Sequence, residues 1–257
     1  MVKMTDDTLS PERVGRYYDE WTARYQASFG DTFQACRPTE ADDLHRYLLE
    51  HAGIVSGERI LDAGCGVGGP SRYFAAHRDI TVDALTVSAV QVEKARQLVE
   101  EAGLASQITV HLGDFHRLDE YFPALTFDRV LFLESLSHAS EPAFALQGVF
   151  KVLRPGGVVY IKDFFEKPCS TESERDAVRA IIDRIDRAFA LRTPNLQRTI
   201  DTLKEVGFRE VSTEPVGFDA DIGRWRNFNQ AHQFDLYDGK PAQQWCVWME
   251  LKFEKPS

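Results

Sequence analysis

The chain has 257 residues, 43% of them hydrophobic and 27% charged, which suits one large α/β domain or one domain carrying a small lid. Thirty basic residues face forty acidic ones, and the formal net charge of -10 repels nucleic acid and anionic membrane surfaces, so neither is expected as a partner. Cys36, Cys65, Cys169 and Cys246 lie far apart without a C-x-x-C pair, so neither a zinc site nor a disulfide framework is indicated, and no other metal-ligand spacing stands out. The first residues lack the apolar core of a signal peptide, and no apolar run is long enough to span a bilayer. These features predict a cytoplasmic chain with reduced thiols.

In chain order, Ser10-Pro11-Glu12 reads as a helix cap with proline at the first helical position. The helix that follows carries Tyr17, Tyr18, Trp21 and Tyr25, and a second is predicted over 39–51. Together they form an N-terminal helical cap, residues 1–56, ahead of a core over 57–257. Strands are predicted at 59–63, 80–85, 108–111, 127–133 and 158–163. Their alternation with helices implies a parallel sheet covered on both faces. Ser88-Ala89-Val90-Gln91 has capping-box spacing and opens a helix, and Leu153-Arg154-Pro155-Gly156-Gly157 reads as a turn between helix and strand. Farther on, Val178, Ile181, Ile182, Ile185 and Phe189 fall on one helical face. Two late strands, 211–216 and 246–253, have no long crossover between them and suggest an antiparallel edge. The polar stretch 219–240 holds Trp225, Phe228, Phe234 and Tyr237 and reads as a partly helical lid.

The strongest local signal is Leu61-Asp62-Ala63-Gly64-Cys65-Gly66-Val67-Gly68-Gly69, where glycines let the backbone turn tightly and lie close to a ligand. Gly64, Gly66 and Gly69 also satisfy G-x-G-x-x-G, so a dinucleotide site is the immediate rival, with Asp83 near the spacing of a ribose-binding acid. Three features oppose it. Asp62, just before the first glycine, suits the ammonium of an amino-acid cofactor and would repel a pyrophosphate. Asp83 lies inside its strand rather than at the end. Little chain remains for a separate substrate domain.

Asp62-Ala63-Gly64-Cys65-Gly66-Val67-Gly68 resembles motif I of the class I S-adenosylmethionine (SAM)-dependent methyltransferases. The likeness continues through Asp114, Phe127-Asp128-Arg129-Val130-Leu131 and Leu153-Arg154-Pro155-Gly156-Gly157. It implies a Rossmann-like α/β fold, a seven-stranded sheet with the last strand inserted antiparallel, and SAM as cofactor, with S-adenosylhomocysteine (SAH) as product. Carried over by position, Asp62, Gly64 and Gly66 would contact the methionine part, Asp114 and Phe115 the adenine, and Leu133 and Glu134 the methionine end. The acid that grips the ribose in the family is missing; Thr86 stands in its place. Leu85-Thr86-Val87-Ser88 followed by Gln91 resembles a small-molecule subgroup that includes sterol, sugar and terpenoid-precursor enzymes. Gln91 is a candidate for the ribose. Tyr17-Tyr18-Asp19 resembles the helix that closes over the cofactor in that subgroup, although both tyrosines fit plain packing equally well.

Glu134-Ser135-Leu136-Ser137-His138 follows the fourth strand and Asp163 ends the fifth, so both open where ligands bind in such sheets. His138 is the candidate general base, oriented by Glu134 or Asp163, as in the sugar and macrolide O-methyltransferases that the segment resembles; the alternative is a histidine bonded to loop backbone. The tail Phe234-Asp235-Leu236-Tyr237-Asp238-Gly239 and Gln243-Gln244-Trp245 resembles prenyl diphosphate C-methyltransferases. Phe218, Trp225, Phe228, Tyr237 and Trp248 would add aromatic surface, and Arg37, Arg224 and Arg226 a diphosphate clamp. Three functions follow for a small-molecule partner: C-methylation of an isoprenoid diphosphate; O- or N-methylation of a sugar, polyketide or phenol; or SAM binding without methyl transfer, in a cyclase or binding protein.

Overall fold

The structure is a computed structural model that describes residues 8–233 and 245–257. Helix α1 (Pro11–Phe29) starts at the expected cap: the Ser10 hydroxyl accepts the Arg13 N–H at 3.3 Å, and Pro11 sits where a missing N–H costs nothing. Helix α2 (Ala41–His51) turns Leu44, Leu48 and Leu49 inward. Strands β1 (Arg59–Ala63), β2 (Thr81–Thr86), β3 (Ile108–Leu112), β4 (Phe127–Leu133) and β5 (Leu153–Glu166) run parallel. They alternate with α3 (Gly69–His77), α4 (Ala89–Glu101), the short α5 (Leu118–Tyr121) and α6 (Pro142–Val152). Helices α7 (Glu172–Phe189) and α8 (Leu196–Val206), strand β6 (Arg209–Pro215), helix α9 (Ile222–Ala231) and strand β7 (Cys246–Glu254) complete the chain.

The seven strands form one sheet in the order β3-β2-β1-β4-β5-β7-β6. Strand β7 is antiparallel to both β5 and β6, so the two late strands form the expected antiparallel edge, with β7 inserted between β5 and the outermost strand β6. Burial explains the placement. Leu251 and Phe253 are fully buried, whereas β6 is partly or fully exposed along its length, as an edge strand tolerates. The Arg-Pro-Gly-Gly stretch differs from the expected turn. Leu153 already pairs with Phe127 and Val158 with Arg129, so the stretch is a bulge within the β4–β5 ladder.

Alternation along the strands divides the core. Val130 and Phe132 of β4 face α6 and α8, which contribute Val149, Val152 and Leu203. Leu131 and Leu133 face the other layer, where α2, α3 and α4 supply Leu48, Phe74 and Val92. A third cluster joins α1, α7 and α9, and the predicted stripe Val178, Ile181, Ile182, Ile185 and Phe189 lies within it. Among the described residues no helix is long and apolar enough to cross a membrane. Phe132 has no exposed surface; Phe132→Ala is expected to lower the free energy of unfolding by about 3–5 kcal/mol, read from the urea midpoint at unchanged slope.

Candidate cofactor and acceptor cavities

The turn after β1 is held from two sides. The N–H groups of Gly64 and Cys65 both donate to the Leu85 carbonyl at 2.9 Å, and the Ser135 hydroxyl donates to the Ala63 carbonyl at 2.5 Å. Gly64 has φ 97°, and a Cβ there would stand 2.4 Å from that of Ser135, so no other residue fits. Above the turn lies a cleft of about 720 Å³. It is lined by Tyr18, Asp62, Gly64, Gly66, Thr86 and Gln91, and by Phe115, Leu133, Glu134 and His138. Sequence reasoning had named all of these. It had missed Asp31, Thr32, Phe33 and Gln34, which belong to the segment between α1 and α2 and form another wall.

Asp62 is buried, and the Ser71 hydroxyl donates to its Oδ2 at 2.5 Å. Burial pushes its carboxyl up to about 6, with the Ser71 bond opposing. A buried carboxylate facing a cavity with no cation beside it fits a ligand that brings one, such as the ammonium of an amino-acid cofactor, and fits a pyrophosphate badly. Thr86 donates to Gln91 Oε1 at 2.6 Å. The expected capping box is therefore half formed: Ser88 Oγ accepts the Gln91 N–H at 3.1 Å, while the Gln91 side chain turns to Thr86. Asp114 caps a 3₁₀ turn, accepting from His116 N at 2.9 Å and bonding His116 Nδ1 at 2.6 Å. It does not line the cleft, although its neighbours Gly113 and Phe115 do.

The Tyr17-Tyr18-Asp19 run divides its tasks. Tyr17 packs, its hydroxyl 2.7 Å from that of Tyr25. Asp19 docks the helix on α4 by accepting Ser88 Oγ–H at 2.6 Å and Val90 N–H at 3.1 Å. Gly15 permits the approach, since a Cβ there would meet the Val87 carbonyl oxygen at 2.8 Å. Tyr18 faces the cleft, with its hydroxyl 2.8 Å from His138 Nε2. His138 Nδ1 lies 2.8 Å from the Ala190 carbonyl, which can only accept, so Nδ1 carries the proton and Nε2 accepts from Tyr18. Burial brings the imidazole down to about 4, which leaves it neutral at pH 7.

Neither expected partner orients His138, and here the sequence reading is corrected. Asp163 Oδ2 accepts Ser137 N–H at 3.1 Å and Oδ1 accepts Phe164 N–H at 2.9 Å; burial, then the charge of Glu134, push its carboxyl up to about 7. Glu134 accepts the N–H groups of Ala35 at 2.6 Å and Cys36 at 3.1 Å, and the Lys162 ammonium at 2.5 Å. Lys162, which no motif marked, also donates to Gln34 Oε1 at 2.9 Å and the Cys36 carbonyl at 2.7 Å. A lysine amid apolar strand residues gives no local signal of its partner.

A second cavity, of about 750 Å³, adjoins the first, and Tyr18, Phe33, Glu134 and His138 line both. Its other walls are aromatic and aliphatic, including Tyr25, Phe164, Phe189, Trp225, Trp245 and Trp248. Trp225 stacks on Phe228, with ring centroids 5.4 Å apart. Phe218 lies elsewhere, edge-on to Tyr47 at 4.8 Å. The arginine clamp does not assemble. Arg37 is buried and donates to the Phe29 and Thr32 carbonyls, both at 2.9 Å. Arg224 donates to the Thr39 carbonyl at 3.3 Å, Arg226 is exposed, and none of the three lines either cavity. Tyr237 and the tail residues 234–244 lie outside the described residues. No group of three or more metal-ligating side chains occurs among the described residues.

Residues 60–157 match the family described as a methyltransferase domain. The sterol 24-C-methyltransferase of Eremothecium gossypii is 31% identical over 206 residues, covering 77% of this chain and 54% of that protein. That of Aspergillus fumigatus is 34% identical over 149 residues, covering 55% and 39%. The chain thus spans about half the length of the curated relatives it matches. Among solved structures, the cyclase SpnF superposes with a TM-score of 0.79 at 22% identity, over 98% of each chain. Geranyl diphosphate C-methyltransferase from Streptomyces coelicolor gives 0.74 at 13% identity, over 97% of this chain and 100% of that one. At those identities the likeness is one of fold. The glycine turn after β1 and the seven-stranded sheet agree with that match: residues 60–157 are a methyltransferase domain, set in a fold that the chain shares with solved methyltransferase structures.

Proposed function

We propose that this enzyme transfers the SAM methyl group to an alkene carbon of an apolar isoprenoid, a sterol-like or terpenoid molecule. The observation that carries this reading is the aromatic cavity that meets the cofactor cleft at a neutral histidine. Two curated relatives named as sterol 24-C-methyltransferases support it. A diphosphate on the acceptor has no support from Arg37, Arg224 or Arg226, whose guanidinium groups lie away from this cavity.

In this reading Asp62 pairs with the cofactor ammonium, Gln91 and Thr86 meet the ribose edge, and Phe115 packs on the adenine. Helix α1 and the lid helix α9 cover the reacting centre and exclude water. SAM supplies a methyl group already activated as a sulfonium, so the protein needs no acid to release it. The alkene carbon takes the methyl as the carbon–sulfur bond breaks, and the adjacent carbon becomes cationic. The faces of Trp225, Trp245 and Tyr25 stabilise that charge, each by about 0.5–2 kcal/mol. A proton beside the cationic carbon then passes to the Tyr18 oxygen while the Tyr18 proton moves to His138 Nε2, and the released electron pair forms the product alkene. An imidazole brought down to about 4 is a weak base. It is strong enough for the very acidic proton next to a carbocation and too weak for an alcohol, which favours carbon over oxygen as the acceptor atom.

Incubation with trideuteromethyl SAM and a panel of sterol and terpenoid alkenes is expected to give product labelled on carbon, with one SAH released per turnover. Conversion of an alkene without SAH release would instead make the protein a SAM-binding cyclase. His138→Ala is expected to lower kcat on the order of 10²–10⁴-fold with SAH affinity unchanged; an unchanged kcat would remove His138 from the chemistry.

Asp62 generates a pH prediction. Its carboxyl is protonated in the free protein below about 6, and an ammonium beside it favours the ionised form. Cofactor binding therefore releases a proton in acid, and SAH affinity falls as pH drops below 6, by up to about tenfold per pH unit. Calorimetry of Asp62→Asn should show weaker binding that no longer varies with pH across this range.

A further inference from the structure

The segment 31–36 is tied down at both ends. At its start, Asp31 pairs with Arg72 of α3 at 2.5 Å, and Thr32 Oγ1 lies 2.8 Å from His45 Nε2 of α2. Its far end rests on Glu134 and Lys162. Strand register brings these two together: Lys162 pairs with Leu133 across the β4–β5 ladder, so Glu134, one residue on, lies beside the lysine. The Lys162 ammonium is fully buried and spends its three N–H groups on Gln34 Oε1, the Cys36 carbonyl and Glu134 Oε1. Burial pulls its pKa down, but the surrounding negative groups, Glu134 foremost, together outweigh burial and the net direction is up. Glu134 also holds φ at 57°, a conformation that costs a non-glycine residue energy and persists only where neighbours over-determine it. The groups that Lys162 holds, directly or through Glu134, reach the partition. Phe33 and Glu134 line both cavities, Gln34 the cofactor cleft and Ala35 the second cavity.

We propose that Lys162 is a positioning residue that holds segment 31–36 as the shared wall of the two cavities and thereby retains the cofactor. It touches neither cavity and acts through Glu134, Gln34 and Cys36. The inference rests on the SAM-binding reading but on no particular acceptor.

Two variants separate positioning from simple charge balance. Lys162→Met leaves the Glu134 carboxylate buried without its cation and is expected to lower Tm and speed SAH release. Lys162→Met with Glu134→Gln removes both charges, so Tm is expected to recover. SAH dissociation, followed by chase of labelled SAH, should stay faster than wild type on the order of tenfold, the equivalent of about one lost hydrogen bond. A double variant that releases SAH at the wild-type rate overturns the proposal. Hydrogen exchange on the wild-type protein decides the matter independently of any variant. The Ala35 and Cys36 amides should exchange as slowly as strand amides in the absence of SAH, and exchange at exposed-loop rates also overturns it. A wild-type chain that binds no SAH refutes the SAM-binding reading instead, and the exchange measurement still reports on the wall.

Discussion

The site is organised around one buried ion pair. Lys162 and Glu134 meet at 2.5 Å where the carboxyl ends of two central strands come together. Taking both charges out of water is costly, and their attraction offsets that cost only when the remaining donors and acceptors are satisfied. Here they are satisfied by backbone N–H groups, a backbone carbonyl and an amide from the segment between α1 and α2. The pair therefore does more than sit in the core. It obliges a loop distant in sequence to lie across the strand ends, and that loop becomes the wall between two cavities.

Helix α1 provides the second constraint. It is fastened to α4 through Asp19 and Ser88, and one turn presents three different side chains to three environments. Tyr17 enters the aromatic cluster, Tyr18 reaches His138, and Asp19 caps a neighbouring helix. Residues of α1 thus border both cavities, with Val14 and Tyr18 on the cofactor side and Tyr18 and Tyr25 on the other. The aromatic contacts of α1 with α9, such as Tyr25 to Phe228 at 4.9 Å, link the helix over the cofactor to the helix over the second cavity.

The polar groups near the reacting centre differ sharply in what they are free to do. Glu134 is saturated with donors. Asp163 is spent on backbone N–H groups. His138 alone keeps a ring nitrogen that accepts from a cavity-lining hydroxyl, with its tautomer set by the Ala190 carbonyl. One neutral base surrounded by aromatic faces suits the removal of a proton from a cation better than the activation of a poor nucleophile.

Much of this was legible in the sequence because it is local. The glycine run after β1, the cap at Ser10, the periodicity of α7 and the alternation of strands with helices depend on neighbours a few residues apart, and each was found where the residues indicated. Register and long-range pairing are a different kind of information. The meeting of Glu134 with Lys162 and the seating of segment 31–36 join residues far apart in the chain, and the insertion of β7 between β5 and β6 was implied by the family resemblance and not by local pattern. The arginines show the same limit. Chemistry made Arg37 a plausible phosphate ligand, but tertiary structure buries it against backbone carbonyls. The sequence alone thus determined the cofactor turn and the order of elements, since both follow from backbone conformation and hydrophobic period. Only the folded chain decided which charges were left to act and which were spent on the wall, because that depends on which distant groups burial forces into contact.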